Sequence, residues 1–449
     1  MYCAVLALGL SSCGRTEPLS QSGEPGGGDK TDAHVGKPSC AFQGFANPVA
    51  YTPSSYPHAL VSTDLTGDGR LDLIVAESST AVPSLELLTN TGNGGFALSE
   101  LPVMFKPNAG ALVAADFTGD GFVDLVTQRN SATGIDLNTG DGVLTIEDSN
   151  GYGGLSSVTV TWSTPQTTGL LAVGDFDADG RPDLAFAGYD YVMTDRFVTD
   201  TGAFALPAPV PTNYALNVYR NQGGATFAPP ASYPNPTWLA DLVTGDFDGD
   251  GHLDIAELVS STAWQLGVYY NAGDGTFGDP AMFGPNPDWS SYGLGVADFN
   301  ADGIDDLATT TILHPNASDE AIVVEVFTGT RDRSFAAPGL YPIASLPNVY
   351  QVLTGDFSGD GQPDIALALR NDGQSAVAGA VPVVVLANQG DGTLGNPVTY
   401  DIRGTMELLP NALAADDFNG DGVTDIAVAT TGRFSPFPRA VSVLLSQCN

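Results

Sequence analysis

The chain has 449 residues, with 52 acidic against 15 basic side chains, for a formal net charge of −37. So acidic a surface argues against nucleic acid, whose phosphates call for Lys and Arg. The 54 Gly and 31 Pro, with no long helical pattern, point to one large β domain rather than several domains.

Residues 1–12 read as a signal peptide. The apolar stretch AVLALGL, residues 4–10, is too short to cross a bilayer as a helix, although residues 1–3 lack the usual Lys or Arg. The sequence LSSC, ending at Cys13, resembles the bacterial lipobox, which makes Cys13 the expected lipidation site. An ordinary secretory signal with an incidental Cys is the alternative. Residues 13–39 therefore form the lipidated Cys and a flexible tether of Gly, Pro and polar residues, ahead of a folded domain at 40–449.

Within that domain a nine-residue pattern returns seven times: DLTGDGRLD from Asp64, DFTGDGFVD from Asp116, DFDADGRPD from Asp175, DFDGDGHLD from Asp246, DFNADGIDD from Asp298, DFSGDGQPD from Asp356 and DFNGDGVTD from Asp417. Oxygen-bearing side chains at alternate positions of a tight loop converge on one centre, as a hard cation requires, and calcium is the natural occupant, in up to seven sites. Position 1 is Asp64, Asp116, Asp175, Asp246, Asp298, Asp356 or Asp417. Position 3 is Thr66, Thr118, Asp177, Asp248, Asn300, Ser358 or Asn419. Position 5 is Asp68, Asp120, Asp179, Asp250, Asp302, Asp360 or Asp421. Position 7 varies (Arg70, Phe122, Arg181, His252, Ile304, Gln362, Val423), as expected where only a backbone carbonyl is used. Position 9 is always Asp: Asp72, Asp124, Asp183, Asp254, Asp306, Asp364 and Asp425. Position 6 is always Gly, for a sharp turn. At position 12 six of the seven loops lack the Glu of an EF-hand, and each leads into a strand instead. Loops 3 and 4, with Asp177 and Asp248 as a fourth carboxylate, are expected to bind a cation most tightly. A plain hairpin turn needing no metal is the alternative for any single copy.

The repeats recur about every 59 residues, a spacing that means a solenoid or a propeller. A second signal follows in each unit but the last: NTGNGGF from Asn90, NTGDGVL from Asn138, NQGGATF from Asn221, NAGDGTF from Asn271, TGTRDRSF from Thr328 and NQGDGTL from Asn388. Such Asn-Gly clusters between apolar runs mark hairpins. Each unit then has four short antiparallel strands, with the acidic loop between the first and second. The expected fold is all-β, a seven-bladed β-propeller of four-stranded antiparallel blades. The seventh unit stops after its third strand, near residues 441–445. Residues 45–51 (FANPVAY) parallel the outer strand of unit six, residues 394–400 (LGNPVTY), so the N-terminal strand is expected to complete the last blade and remove the open edge. That closure places Cys40 beside Cys448, an expected disulfide.

The acidic loop together with the NxGDGTF turn resembles the FG-GAP/VCBS repeat, found in the integrin alpha-subunit N-terminal propeller and in many bacterial surface proteins; the resemblance covers residues 41–449. It implies calcium in the loops on one face and a partner on the other. The face opposite the loops carries the long stretch 189–213, the segment 310–320, and Trp238, Trp289, Tyr292 and Tyr350 as candidate ligand-binding residues, with His58 and Asn411 beside the channel mouth. Sealing gaps between blades is the alternative role for any single ring. The four His residues (His34, His58, His252, His314) are scattered and no catalytic motif is present in the sequence. The sequence reads as a calcium-binding module of the bacterial cell envelope, or secreted, that recognises an extracellular carbohydrate or protein ligand. It is expected to be monomeric and to meet the membrane only through its lipid anchor. The alternatives are a surface enzyme acting on polysaccharide, as lyase or hydrolase, and a purely structural element.

Overall fold

After each acidic loop the chain runs into an almost unbroken apolar stretch, such as Asp364–Leu369, in which every residue is buried. A strand buried on both faces needs sheet neighbours on either side. The structure, a computed structural model, supplies them. It describes residues 42–78, 85–101, 109–129, 143–149, 155–158, 166–193, 209–224, 226–235, 238–260, 264–286, 293–316, 319–343, 349–369, 380–403, 408–432 and 439–448.

These residues form seven four-stranded antiparallel sheets. Blade 1 contains Tyr56–Thr63, Asp72–Ser78, Leu85–Gly92 and Gly95–Leu101, and blade 2 contains Ala109–Ala115, Asp124–Arg129, Val143–Ser149 and Leu155–Val158. Blade 3 contains Gln166–Gly174, Asp183–Met193, Pro209–Tyr219 and Ala231–Pro234, and blade 4 contains Trp238–Gly245, Asp254–Ser260, Trp264–Tyr269 and Ala281–Asn286. Blade 5 contains Gly295–Ala297, Asp306–Asn316, Asp319–Phe327 and Gly339–Ile343, and blade 6 contains Val349–Gly355, Asp364–Leu369, Ala380–Leu386 and Val398–Arg403. Blade 7 takes Leu408–Asp416, Asp425–Gly432 and Arg439–Leu444 from the C-terminal end, and its outer strand, Val49–Tyr51, from the N-terminal end. The inner strand of each blade contacts that of the next, and blade 7 contacts blade 1 in the same way, giving a seven-bladed β-propeller.

The closing junction repeats the chemistry of internal ones. Tyr51 of blade 7 accepts the Phe96 N–H of blade 1 at 3.0 Å, just as Tyr233 of blade 3 accepts the Phe277 N–H of blade 4 at 3.1 Å. Ser62 donates to Asp416 across the closing junction at 2.9 Å. The closing strand is shorter than the expected 45–51. Phe42–Phe45 leaves the blade and pairs instead with Ser446–Cys448, in a separate two-stranded ladder. Cys40 lies outside the described residues; the Cys448 backbone pairs with Phe42.

The core lies between blades rather than at the hub. Position 2 of the acidic loops supplies Phe117, Phe176, Phe247, Phe299 and Phe357, all fully buried, with Leu65 and Phe418 nearly so. Each acts as a wedge against the following blade. Phe418 meets Phe96, Phe117 meets Phe227, Phe176 meets Phe277 and Phe247 meets Phe335, with ring centroids 5.6–6.3 Å apart. Their partners are the closing residues of the Asn-Gly turns, so the two recurring sequence signals meet at the blade junctions.

Candidate metal centres and the opposite face

In each acidic loop the first Asp shapes the turn around itself. In loop 3, Asp175 accepts the Asp179 N–H at 3.0 Å on one oxygen and the Gly180 N–H at 2.8 Å on the other. Loop 4 repeats this, with Asp246 accepting from Asp250 and Gly251 at 3.0 and 2.9 Å. The position-6 glycines, such as Gly180 and Gly251, hold φ of +86° and +88°, and a Cβ there would meet nothing within 4 Å. Backbone conformation, rather than space, selects Gly at this place.

The ninth Asp does more than the sequence suggests. All seven are fully buried. Asp183 accepts the Phe176 N–H at 3.0 Å and the Asn221 N–H at 2.7 Å, and Asp254 accepts from Phe247 and Asn271 at 3.0 and 2.8 Å. The carboxylate thereby ties the loop to the third strand of its own blade. Burial pushes Asp183, Asp254, Asp306, Asp364 and Asp425 up to about 7. A carboxylate has about four acceptor positions, so these bonds leave room for a cation.

Positions 1, 3 and 9 converge. Ligand oxygens of Asp175, Asp177 and Asp183, and those of Asp246, Asp248 and Asp254, lie within 4.8 Å of one another, two clusters that can hold a metal ion. An all-oxygen donor set suits a hard cation. Position 3 supplies the test of fit: Asp177 Oδ1, Thr66 Oγ1 and Ser358 Oγ are buried with no hydrogen-bond partner. Thr66 and Ser358 lie close to Asp72 and Asp364 without reaching hydrogen-bond geometry. Buried oxygens are rarely left unpaired, and three at the same loop position fit a missing cation partner. Burial, then the charges of Asp179 and Asp175, push the Asp177 carboxyl up, which a cation would reverse. The other loops engage position 3 internally: Asn300 donates to Asp302 at 3.0 Å, and Asn419 accepts the Asp421 N–H at 2.8 Å. In loop 4 the Asp248 carboxylate is held by Arg333 at 2.7 Å. At position 7, Arg70 and Arg181 turn back on Asp68 and Asp179 and donate to the carbonyls of Asn90 and Asn221 at 2.9 Å.

A junction role for the Asn that opens each turn is not evident from the hairpin signal alone. Asn271 Nδ2 donates to Phe176 O of blade 3 at 2.7 Å and to Leu253 O at 2.9 Å. Asn90, Asn221 and Asn388 likewise reach Phe418 O, Phe117 O and Phe299 O of their preceding blades at 2.7–2.9 Å. Its recurrence in the sequence was the available signal. Blade 5 departs from it: Asp305 exchanges two bonds with the Asp246 backbone, at 2.8 and 2.9 Å.

On the opposite face, Trp289 and Tyr292 lie outside the described residues. Trp238 begins the inner strand of blade 4 and pairs with Ser260, which pairs in turn with Trp264. Tyr350, His58 and Asn411 each fall at a register shift of an inner strand. Burial holds His58 below the usual imidazole value, and Asn411 donates to Pro57 O at 2.9 Å. The stretches 189–213 and 310–320 are in part strand. Asp183–Met193 pairs with Pro209–Tyr219 out to Met193 and Pro209, and Asp306–Asn316 with Asp319–Phe327 out to Asn316 and Asp319.

Seven antiparallel blades, each with an acidic loop wedged against its neighbour, define a repeat propeller. The chain contains FG-GAP repeats: the FG-GAP-like repeat matches residues 64–127, 197–257 and 255–309, and the FG-GAP repeat matches residues 409–443. No curated protein matches it. Among solved structures it is similar to the Dos1 propeller, at 10% identity and a TM-score of 0.49, over 89% of this chain and 95% of that one. It is also similar to the K499G mutant of NanB sialidase from Streptococcus pneumoniae, at 13% identity and a TM-score of 0.40, over 90% of this chain and 68% of that one. At these scores neither likeness bears on what the chain binds.

Proposed function

We propose that the protein is a calcium-binding module of the bacterial cell envelope that recognises a carbohydrate or protein ligand with the face opposite its acidic loops. Calcium in the loops fixes the blades, and the ligand sits over blade 4. One observation carries the placement. Among the described residues the second strands of blades 3 and 5 each have eleven residues, against six to eight in the other blades, an excess of roughly 10–16 Å at ~3.3 Å per residue. These two hairpins flank blade 4, whose end on that side carries Trp238 and Trp264, with Trp289 in the connection that follows. Aromatic side chains bury large area at small entropic cost and suit sugar faces or protein hot spots. In this reading Cys13 carries the lipid, residues 14–39 form the tether, Cys40 and Cys448 form a disulfide, and the ring works as a monomer.

A glycan array and a pull-down with the calcium-loaded chain test the reading. Retention of a ligand that falls at least tenfold in Trp238→Ala or Trp289→Ala, at an unchanged melting temperature, supports it. Turnover of the glycan in place of retention would favour a polysaccharide-cleaving enzyme, and lowered melting with intact affinity would make the rings packing residues.

A further inference from the structure

In blades 4, 5 and 6 the turn rests on the acidic loop of the blade before it. The closing residues Phe277, Phe335 and Leu394 pair back to Asn271, Gly329 and Asn388, which aligns three turns residue by residue. Two places before the closing residue stand Gly275, Arg333 and Gly392, with φ of +74°, +63° and +79°. In blades 4 and 6 this Gly lies over position 3 of the preceding loop: a Cβ at Gly275 would come within 3.1 Å of Asp177, and one at Gly392 within 3.1 Å of Asn300. In blade 5 the place is taken by Arg333, in a left-handed conformation that side chains rarely adopt.

Its guanidinium goes where the alignment sends it. Arg333 Nε donates to Asp248 Oδ2 at 2.7 Å, and an Nη lies 3.5 Å from Asp250 Oδ2. The group also stands 5.2 Å from the centroid of the Tyr270 ring. Arg331 of the same turn donates to Gly249 O at 3.3 Å. Asp248 is buried and its other oxygen accepts the Asp250 N–H at 3.1 Å, so both its oxygens are engaged. Asp177, its counterpart in loop 3, keeps Oδ1 buried and unpartnered, and nearby Arg220 donates to Asp274 O at 3.3 Å, not to the loop.

We infer that Arg333 is the resident counter-cation of loop 4. It supplies from the next blade the positive charge that a metal ion supplies in loop 3, and a metal enters loop 4 only by displacing it. The inference rests on the calcium reading of the other loops. Loop 4, one of the two richest in carboxylate, is then not among the tightest metal sites but is closed without metal.

Calorimetric titration of the full chain with calcium chloride, after chelation, tests this on Asp177→Asn, Asp248→Asn, Arg333→Gly and Arg333→Gln. Relative to the unaltered chain, Asp177→Asn is expected to lose one ion and Asp248→Asn none. Each Arg333 variant is expected to gain one ion, or at least tenfold in affinity at one site, and the gain should vanish when combined with Asp248→Asn. Loss of an ion in Asp248→Asn alone, or Arg333 variants that titrate like the unaltered chain while Asp177→Asn loses its ion, would overturn the role of Arg333 and leave calcium elsewhere intact. No uptake by any variant would remove both.

Discussion

Loops 3 and 4 are neighbours with nearly the same sequence, DFDADGRPD and DFDGDGHLD, and each has four carboxylates. Their scaffolds share three features: the first Asp caps the turn, the ninth ties it to the third strand, and the Phe wedges against the next blade. They differ in how charge is balanced. Loop 3 faces Gly275 and leaves a buried oxygen open; loop 4 faces Arg333, which closes it. The lesson is that an acidic motif fixes the shape of a site, while the residue set against it from the adjacent blade decides what cation it holds.

The largest expected effect tests the shared half of that comparison. Phe176→Ala and Phe247→Ala each remove a fully buried wedge, and each should cost about 3–5 kcal/mol in denaturant unfolding. A large cost in one blade and none in the other would show that the two junctions are not equivalent. Asn271→Ala comes next, at about 1–3 kcal/mol, because it removes the donor shared by Phe176 O and Leu253 O at the junction of blades 3 and 4. Blade 5 has Gly329 at the aligned place, so Gly329→Ala has no such bonds to lose and tests only the close approach of Asp305 O, Ile304 and Phe247 O.

Acidity sharpens the comparison further. Burial pushes Asp183 in loop 3 and Asp254 in loop 4 up to about 7, as it does Asp241 between blades 4 and 5. For a group raised in this way the stability is fully present below the ordinary carboxylate value. It is lost as pH rises from about 4 through about 7, because the unfolded chain ionises first. The chelated protein should therefore melt lower at neutral pH than near pH 5. Calcium needs deprotonated ligands, so the loaded protein should show the opposite slope in the same melting series. A single slope in both conditions would count against metal in the loops. Asp241 bonds to the Leu242 and Leu294 N–H groups rather than to a loop, so Asp241→Asn should remove the same downward contribution in both conditions, flattening the chelated slope and steepening the loaded one.

The smallest effect is expected for Arg333→Gly under chelation. The ion pair it removes joins the half-exposed Arg333 to the buried Asp248, and solvent at the Arg333 end keeps its worth near that of a surface pair, about 0–1 kcal/mol, while relief of the left-handed backbone returns a similar ~1 kcal/mol. Stability should change by less than about 1 kcal/mol, which separates this residue's effect on metal uptake from any effect on folding. A loss comparable to that of Phe247→Ala would make Arg333 a packing residue.

Much of the molecule was legible in the sequence because it is written in turns. A position-6 Gly with φ near +85°, an Asp that caps the loop and an Asn-Gly hairpin are demands of local backbone geometry, so the acidic loop recurs in every unit and the Asn-Gly turn in most of them, and together they give the blade count, the strand order and the facing of the loops. The likeness of residues 45–51 to 394–400 even gave the strand that completes blade 7, although the structure pairs only Val49–Tyr51 there and sends Phe42–Phe45 to Ser446–Cys448. What lay beyond the sequence involves partners distant along the chain. Asn271 meets Phe176 across a blade junction, and Arg333 meets Asp248 from the following blade. Residues 189–193 and 209–213, which look like a loop insertion, are largely strand because they pair with each other. The sequence by itself determined the repeat and the shape of each acidic loop, since both depend on residues within a few positions of one another. Only the tertiary structure decided that loop 3 keeps an open oxygen while loop 4 does not, because the charge that closes loop 4 comes from a neighbouring blade that the ring brings against it.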